Sequence, residues 1–317
     1  MADRLRAATI DDAAFIADVL TAGRPDDPID PVMLRHEWNS GPWNWRSERF
    51  VIVRGGHEIG ASGMSHPDWS KVKERFAGVF ADFLPEVRSA NEVARALEPM
   101  ESLARDSGAT VAVASTRAHD AVRTDALARR GYREDRRGKR WELDLVRNRE
   151  RLLAMTEESR ARMRQEGVRL LTLASDPDPE RYRKAWEMSE EAGQDVPSTL
   201  PRIPEPLEDF MSWLHTPGMH EDRVWIARDG DAVLGLSVLE YPPVRGIVST
   251  SWTATARAAR GRGVARALKC ETVAQAIALG VDRVRTGNDA KNDPILHINE
   301  SMGYRLVAER IDFHKDL

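Results

Sequence analysis

One cysteine, Cys270, stands in a chain of 317 residues, and a single thiol cannot close an intrachain disulfide. The same scarcity leaves no Cys/His cluster with zinc-ligand spacing. Long apolar runs are missing too. No stretch approaches the roughly 18 residues of a membrane-spanning helix, and Met1-Ala2-Asp3-Arg4 has no apolar leader core. Nor does one sign of charge dominate: 47 Lys and Arg against 51 Asp and Glu leave a net charge of −4. That balance argues against bulk attraction to nucleic-acid phosphates or anionic membranes. These absences predict a cytoplasmic protein in a reducing compartment, with neither nucleic acid nor membrane as partner. What is present is a globular composition, 41% hydrophobic and 31% charged. The length suits two domains of ordinary size.

The chain repeats itself. A short strand at Arg4–Ala7 leads to a helix capped by Thr9, then to a hairpin turning at Gly55-Gly56. Later, a strand at 168–173 leads to a helix around 182–191, then to a hairpin turning at Asp229-Gly230-Asp231. Each unit next has a helix closed by glycine, Gly108 or Gly280, and later reaches Gly-Tyr-Arg, at Gly131 or Gly303. The spacing from the first glycine to the second is the same in both units, which points to one ancestral unit used twice. The expected division is residues 1–147 and 167–317, joined by a linker helix at 148–166 with Leu152, Met155 and Met163 on one stripe.

One segment carries chemistry. A β-branched strand ending in Thr253-Ala254-Thr255 runs into Arg260-Gly261-Arg262-Gly263-Val264-Ala265, and this loop opens a strong helix-forming run. A glycine-rich loop at a helix N-terminus offers unpaired amide groups and positive dipole potential to an anion. The pattern therefore reads as a phosphate or pyrophosphate site. The Gly-Lys-Ser/Thr ending of a P-loop is absent, and Arg266 stands where a dinucleotide fold needs its third glycine.

The loop in its setting resembles the Arg/Gln-x-x-Gly-x-Gly/Ala signature of the GNAT (GCN5-related N-acetyltransferase) superfamily. The stretch from Arg285 through Asn292 and Asn299 to Gly303-Tyr304 resembles the family's second pattern, in which an Asn opens a helix ending in Gly-Phe or Gly-Tyr. The resemblance covers the chain from about Val168 to its end. It implies an α/β fold of two tandem GNAT-like domains, each a mixed, mostly antiparallel sheet flanked by helices. It implies acetyl-CoA as co-substrate and an amine of a small molecule or peptide as acceptor, attacking the thioester directly. The pantetheine would pair with Thr253, Ala254 and Thr255, and the pyrophosphate would sit on the amides of Arg260, Gly261, Arg262, Gly263, Val264 and Ala265. Asn292 matches the family's Asn beside the pantetheine arm, and its side chain equally suits a plain N-cap.

In the first unit Arg88 falls where Arg260 stands, but Ser89 and Asn91 replace the glycines and Glu92 adds a carboxylate. This half reads as a degenerate GNAT domain that supports the other and walls its acceptor pocket. Many relatives place a catalytic Glu on the strand before the loop. Here Glu240, at the end of the preceding strand, is the nearest carboxylate, and it also reads as a surface strand-end residue. Asn299 stands at the position of the family's acidic Tyr, Tyr304 fits a packing position, and a helix His such as His297 is more often structural, so the acid is unassigned. The basic stretch Arg129–Arg140 is expected to be a solvated hairpin with Glu134 and Asp135 interleaved. Trp38, Trp43 and Trp45 suit a pocket, an interface or the core, and the proline-rich Gln194–Pro206 suits an acceptor-facing loop or a passive connector. The expected assembly is a monomer or homodimer, and the second function class is a non-catalytic acyl-CoA-binding or scaffold protein.

Overall fold

The computed structural model describes residues 3–39, 45–196 and 203–317. Trp43 and residues 197–202 of the proline-rich segment lie outside them. The first half runs β1 (Arg4–Ala7), α1 (Ala13–Ala22), α2 (Pro31–Asn39), β2 (Arg46–Arg54), β3 (His57–His66) and β4 (Phe76–Phe83). It continues through α3 (Ala90–Asp106), β5 (Val111–Arg117), α4 (Ala121–Arg129) and β6 (Arg133–Asp144). After α5 (Arg149–Gln165) come β7 (Arg169–Thr172), α6 (Arg181–Gly193), α7 (Leu207–Leu214), β8 (Val224–Asp229) and β9 (Ala232–Glu240). The chain ends with β10 (Ser249–Thr255), α8 (Val264–Ala278), β11 (Arg283–Asp289), α9 (Asp293–Met302) and β12 (Arg305–Asp316).

All twelve strands join one mixed sheet in the order β1-β2-β3-β4-β5-β12-β6-β11-β10-β9-β8-β7. The order is pseudo-symmetric about its centre. Five strands of each half are completed by the last strand of the other half: β12 pairs with β5, and β6 pairs with β11. The exchanged strands meet each other antiparallel, from Arg305 opposite Glu142 to His314 opposite Arg133.

Alternation along the strands covers both faces of the sheet. In β4, Val79 and Ala81 pack under α3 and α4, whereas Phe80 faces the α1–α2 side. In the second half, Leu236 and Val238 face α6 and α7, and Leu239 lies with the α5–α8 side. The apolar stripe of α5 is buried as expected, at Leu152, Met155 and Met163. This helix lies along α8, where the Thr156 hydroxyl donates to the Cys270 carbonyl at 3.3 Å and Arg160 grips buried Glu271.

The basic stretch is not a solvated hairpin. Its second part is β6, a single central strand between β12 and β11. Its charges are tolerated because neighbouring strands supply counter-ions: Arg137 pairs with Glu309 at 2.9 Å and Arg136 with Asp289 at 3.3 Å. Those partners are far along the sequence, so local charge pattern could not reveal them.

Candidate functional site

The site starts where two parallel strands part. β10 and β11 pair only at Ser249 opposite Arg285, with the Arg285 amide donating to the Val248 carbonyl at 2.9 Å. Beyond that vertex they splay and open a cleft. On its other side β10 pairs with β9, but a bulge leaves Ser251 out of the register. A bulge next to a splay frees backbone groups for something other than a neighbouring strand.

The loop after β10 closes the open end of the cleft. Gly261 has φ 78° and Gly263 φ 87°, a left-handed conformation that a side chain would strain. Gly263 is the N-cap of α8, and the helix start has neither a side-chain cap nor an acidic residue in its first turn. The amides of this turn therefore face outward unsatisfied by side chains, with the helix dipole behind them. The loop arginines are already held: Arg260 by Asp195 at 2.7 Å, Arg262 by Glu166 at 3.1 Å. A further cation comes from α5, since a Cβ at position 263 would lie 3.1 Å from Arg162 Nη1. Sequence reasoning missed Arg162, because nothing in a linker helix signals which loop its end will meet.

Orphaned polar atoms lie on β10, which leads into this loop, and on α9, which follows β11. The hydroxyl of Thr255 and the side-chain oxygen of Asn299 are buried and lack partners among the described residues. Thr253 instead shares a hydrogen bond with Ser237 at 2.9 Å, and Ala254 is buried in the α6–α7 core. Asn292 occupies the N-cap position of α9 but makes no side-chain cap bond. Asn299 donates to the Asn288 side chain at 2.7 Å. Tyr304 is buried in packing, and His297 is exposed on α9. The open amides, the left-handed glycines and the orphaned hydroxyl fit a long, flexible ligand that ends in phosphates.

Glu240 sits opposite Ser249 in the ladder and so stands at the vertex of the splay. It is half-buried and lines a cavity of about 270 Å³, which corrects the reading of a surface strand end. Burial raises its pKa above the usual carboxylate range, and the nearby charges of Glu37 and Asp30 add to this while Arg140 opposes it. The facing wall is the first half of the chain: Arg24, Asp27, Asp30, Met33 and Glu37 line the same cavity. It is locked there by Asp30, which accepts from the Val244 and Arg245 amides at 2.6 and 2.9 Å, and by Arg285, which donates to the Asp26 carbonyl at 2.6 Å.

The matching place in the first half is built shut. Arg88 turns inward and bridges Asp82 at 2.6 Å and Asp120 at 2.7 Å. The start of α3 is capped by Ser89, and its Glu92 pairs with Arg54 at 2.7 Å. An incoming phosphate would meet a carboxylate and a filled cap. Of the tryptophans, Trp38 packs on the α1–α2 core beneath the Arg49 guanidinium, and Trp45 stacks edge-on with Phe76.

No protein-family model and no curated protein sequence matches this chain. Solved structures do. A tandem GNAT protein from the clavulanic acid biosynthesis pathway superposes with a TM-score of 0.76 at 17% identity, covering 99% of this chain and 98% of its own. A GCN5-related N-acetyltransferase from Sphaerobacter thermophilus gives 0.67 at 18% identity, covering 99% and 95%. A GCN5-related glucosamine N-acetyltransferase region of a fungal multi-domain β-N-acetylglucosaminidase gives 0.70 at 11% identity, covering 98% of this chain and 38% of that one. Taken with the splayed strands and the glycine loop, these likenesses show that the chain has the tandem GNAT fold.

Proposed function

We propose that the protein is an acetyl-CoA-dependent N-acetyltransferase with its one cofactor site in residues 167–317, and that residues 1–147 wall the acceptor pocket. The carrying observation is that the splay of β10 from β11 places the uncapped start of α8 at one end of the cleft and Glu240 at the other. Acetyl-CoA supplies an activated acetyl group on a good leaving thiolate. The chain's own part is to hold and to deprotonate. The amides from Gly261 to Ala265 suit the pyrophosphate, with Arg162 beside them, and the free edge of β10 suits an extended pantetheine. A cationic amine entering the acceptor cavity meets Glu240, Glu37 and Asp30, and Glu240 removes its proton. The raised pKa of Glu240 makes it a better base than an ordinary glutamate. The buried Cys270 supports a reducing, cytoplasmic setting, and the reading needs no assembly beyond a monomer or homodimer. Among the described residues, no helix is long and apolar enough to cross a membrane.

Glu240→Gln tests the chemistry. A general base contributes roughly 10²–10⁴ in rate. The variant should lose about that much in kcat near neutral pH and keep its acetyl-CoA affinity. The wild-type rate should rise with pH as Glu240 ionises, and the deficit of the variant should shrink at high pH, where the amine arrives neutral. A wild-type pH–rate profile in Glu240→Gln removes Glu240 from the mechanism. Absence of turnover against any amine, with acetyl-CoA still bound, favours the non-catalytic acyl-CoA-binding reading, which Asn299 at the family's tyrosine position permits.

A further inference from the structure

A second cavity, of about 320 Å³, opens in the first half where β4 splays from β5. It shares Leu20, Arg24, Asp27 and Arg140 with the acceptor cavity, so the two adjoin along these residues. Their linings differ in sign. The Glu240 cavity carries Glu240, Glu37 and Asp30, whereas the second is lined by five arginines and three aspartates, with Arg24, Arg140 and Asp27 common to both. Asp82 and Asp120 are bridged by Arg88 from outside the lining, Arg123 lies 3.5 Å from Asp82, and Arg310 pairs with Asp312, which leaves Arg24 and Arg140 with the weakest share of counter-charge. The third, Asp27, is shared by Arg117, Arg140 and Arg285. Arg24 makes no ion pair among the described residues, and Arg140 Nε is buried without a partner. Burial lowers the pKa of Arg24 to about 10; attraction to Asp27 opposes this, and repulsion from Arg117, Arg123 and Arg140 adds to it. Crowded, under-neutralised guanidinium groups are a receptor for an oxyanion, which they bind with forked, charge-assisted hydrogen bonds.

We infer that the acceptor is an amine that also bears an oxyanion, carboxylate or phosphate, held by Arg24 and Arg140 while its amino group lies at Glu240. This rests on the acetyltransferase reading for the amine end, but the anion end stands on the cavity alone. In this arrangement the first half's splay, closed to a cofactor by Arg88, serves as the specificity pocket for the second half's chemistry. Each cavity is of the size that takes one end of a small polar metabolite or a short peptide end.

The test uses the full chain and a ladder of ω-amino acids from glycine to 6-aminohexanoate, their methyl esters, O-phosphoethanolamine, and propane-1,3-diamine. Binding is read by calorimetry and transfer by thiol release from acetyl-CoA. At least one amino acid or the aminophosphate should bind tenfold or more tighter than its uncharged or cationic counterpart. Whichever of the two anions binds better identifies the oxyanion. Arg24→Gln, which breaks no ion pair and should melt like wild type, abolishes the discrimination, and Arg24→Glu turns it toward the diamine. Equal binding of acids and esters by the wild type overturns the inference, as does discrimination that survives in Arg24→Gln. Anion-dependent binding without any transfer leaves the anion pocket standing and sinks the acetyltransferase reading. Transfer without anion preference does the reverse.

Discussion

Lys269 is 1% exposed on α8 and forms no ion pair among the described residues; its ammonium lies 5.1 Å from the centre of the Tyr304 ring. A buried, unpaired lysine is costly in its charged form. Burial lowers its pKa to about 8 from an ordinary 10.5. Below pH 8 both folded and unfolded chains hold this proton, and the full penalty applies. Between about 8 and 10.5 the unfolded chain binds more protons, so folding stability rises with pH through this window, by roughly 3 kcal/mol in total. The internal repeat places Leu97 at the matching position of the first half, where it is buried in the core. Lys269→Leu should therefore raise the melting temperature at pH 7 by about 5 °C and flatten the alkaline rise. A variant less stable than wild type at pH 7, with the same pH slope, contradicts this account. Much of the glycine loop was legible at this scale, because a left-handed backbone leaves a glycine in the sequence. Arg24, Glu37 and Arg162 were not, since an arginine or glutamate on a helix or turn looks the same whether it faces water or a cavity.

The repeating elements could be read from hydrophobic period and glycine punctuation, and α5, α8, β8 and β9 fall close to where patterning puts them. The partnership of β6 with β12 could not. A strand's pairing edge carries no mark of which strand will fill it, and here the filler is exchanged between halves. The charged face of β6 even argued for solvent, until its counter-ions arrived from β11 and β12. The exchange makes each half's sheet incomplete without the other. Cutting the chain between Arg147 and Asn148 should give fragments that are soluble and folded only when produced together, as one complex on size-exclusion chromatography. A folded, monomeric fragment 148–317 would show that β12 can be dispensed with or can refold onto its own half.

At the scale of the whole molecule, duplication has produced two unlike halves. In one, the strand-to-helix turn is open, with Gly261 and Gly263 in left-handed conformations and α8 uncapped. In the other, Ser89 caps the helix start by accepting from the Glu92 amide, while Arg88 and the Glu92 carboxylate are held in ion pairs of their own. On the function proposed above, the first half keeps the shape of a cofactor cleft and serves as a wall for the acceptor. The central claim, one cofactor site per chain and in the second half, is tested most directly by calorimetric titration of the full chain with acetyl-CoA. We predict one site per chain, lost in Gly263→Glu, whose side chain fills and charges the space over α8. Two equivalent sites, or one site that survives Gly263→Glu in a folded protein, would contradict the account.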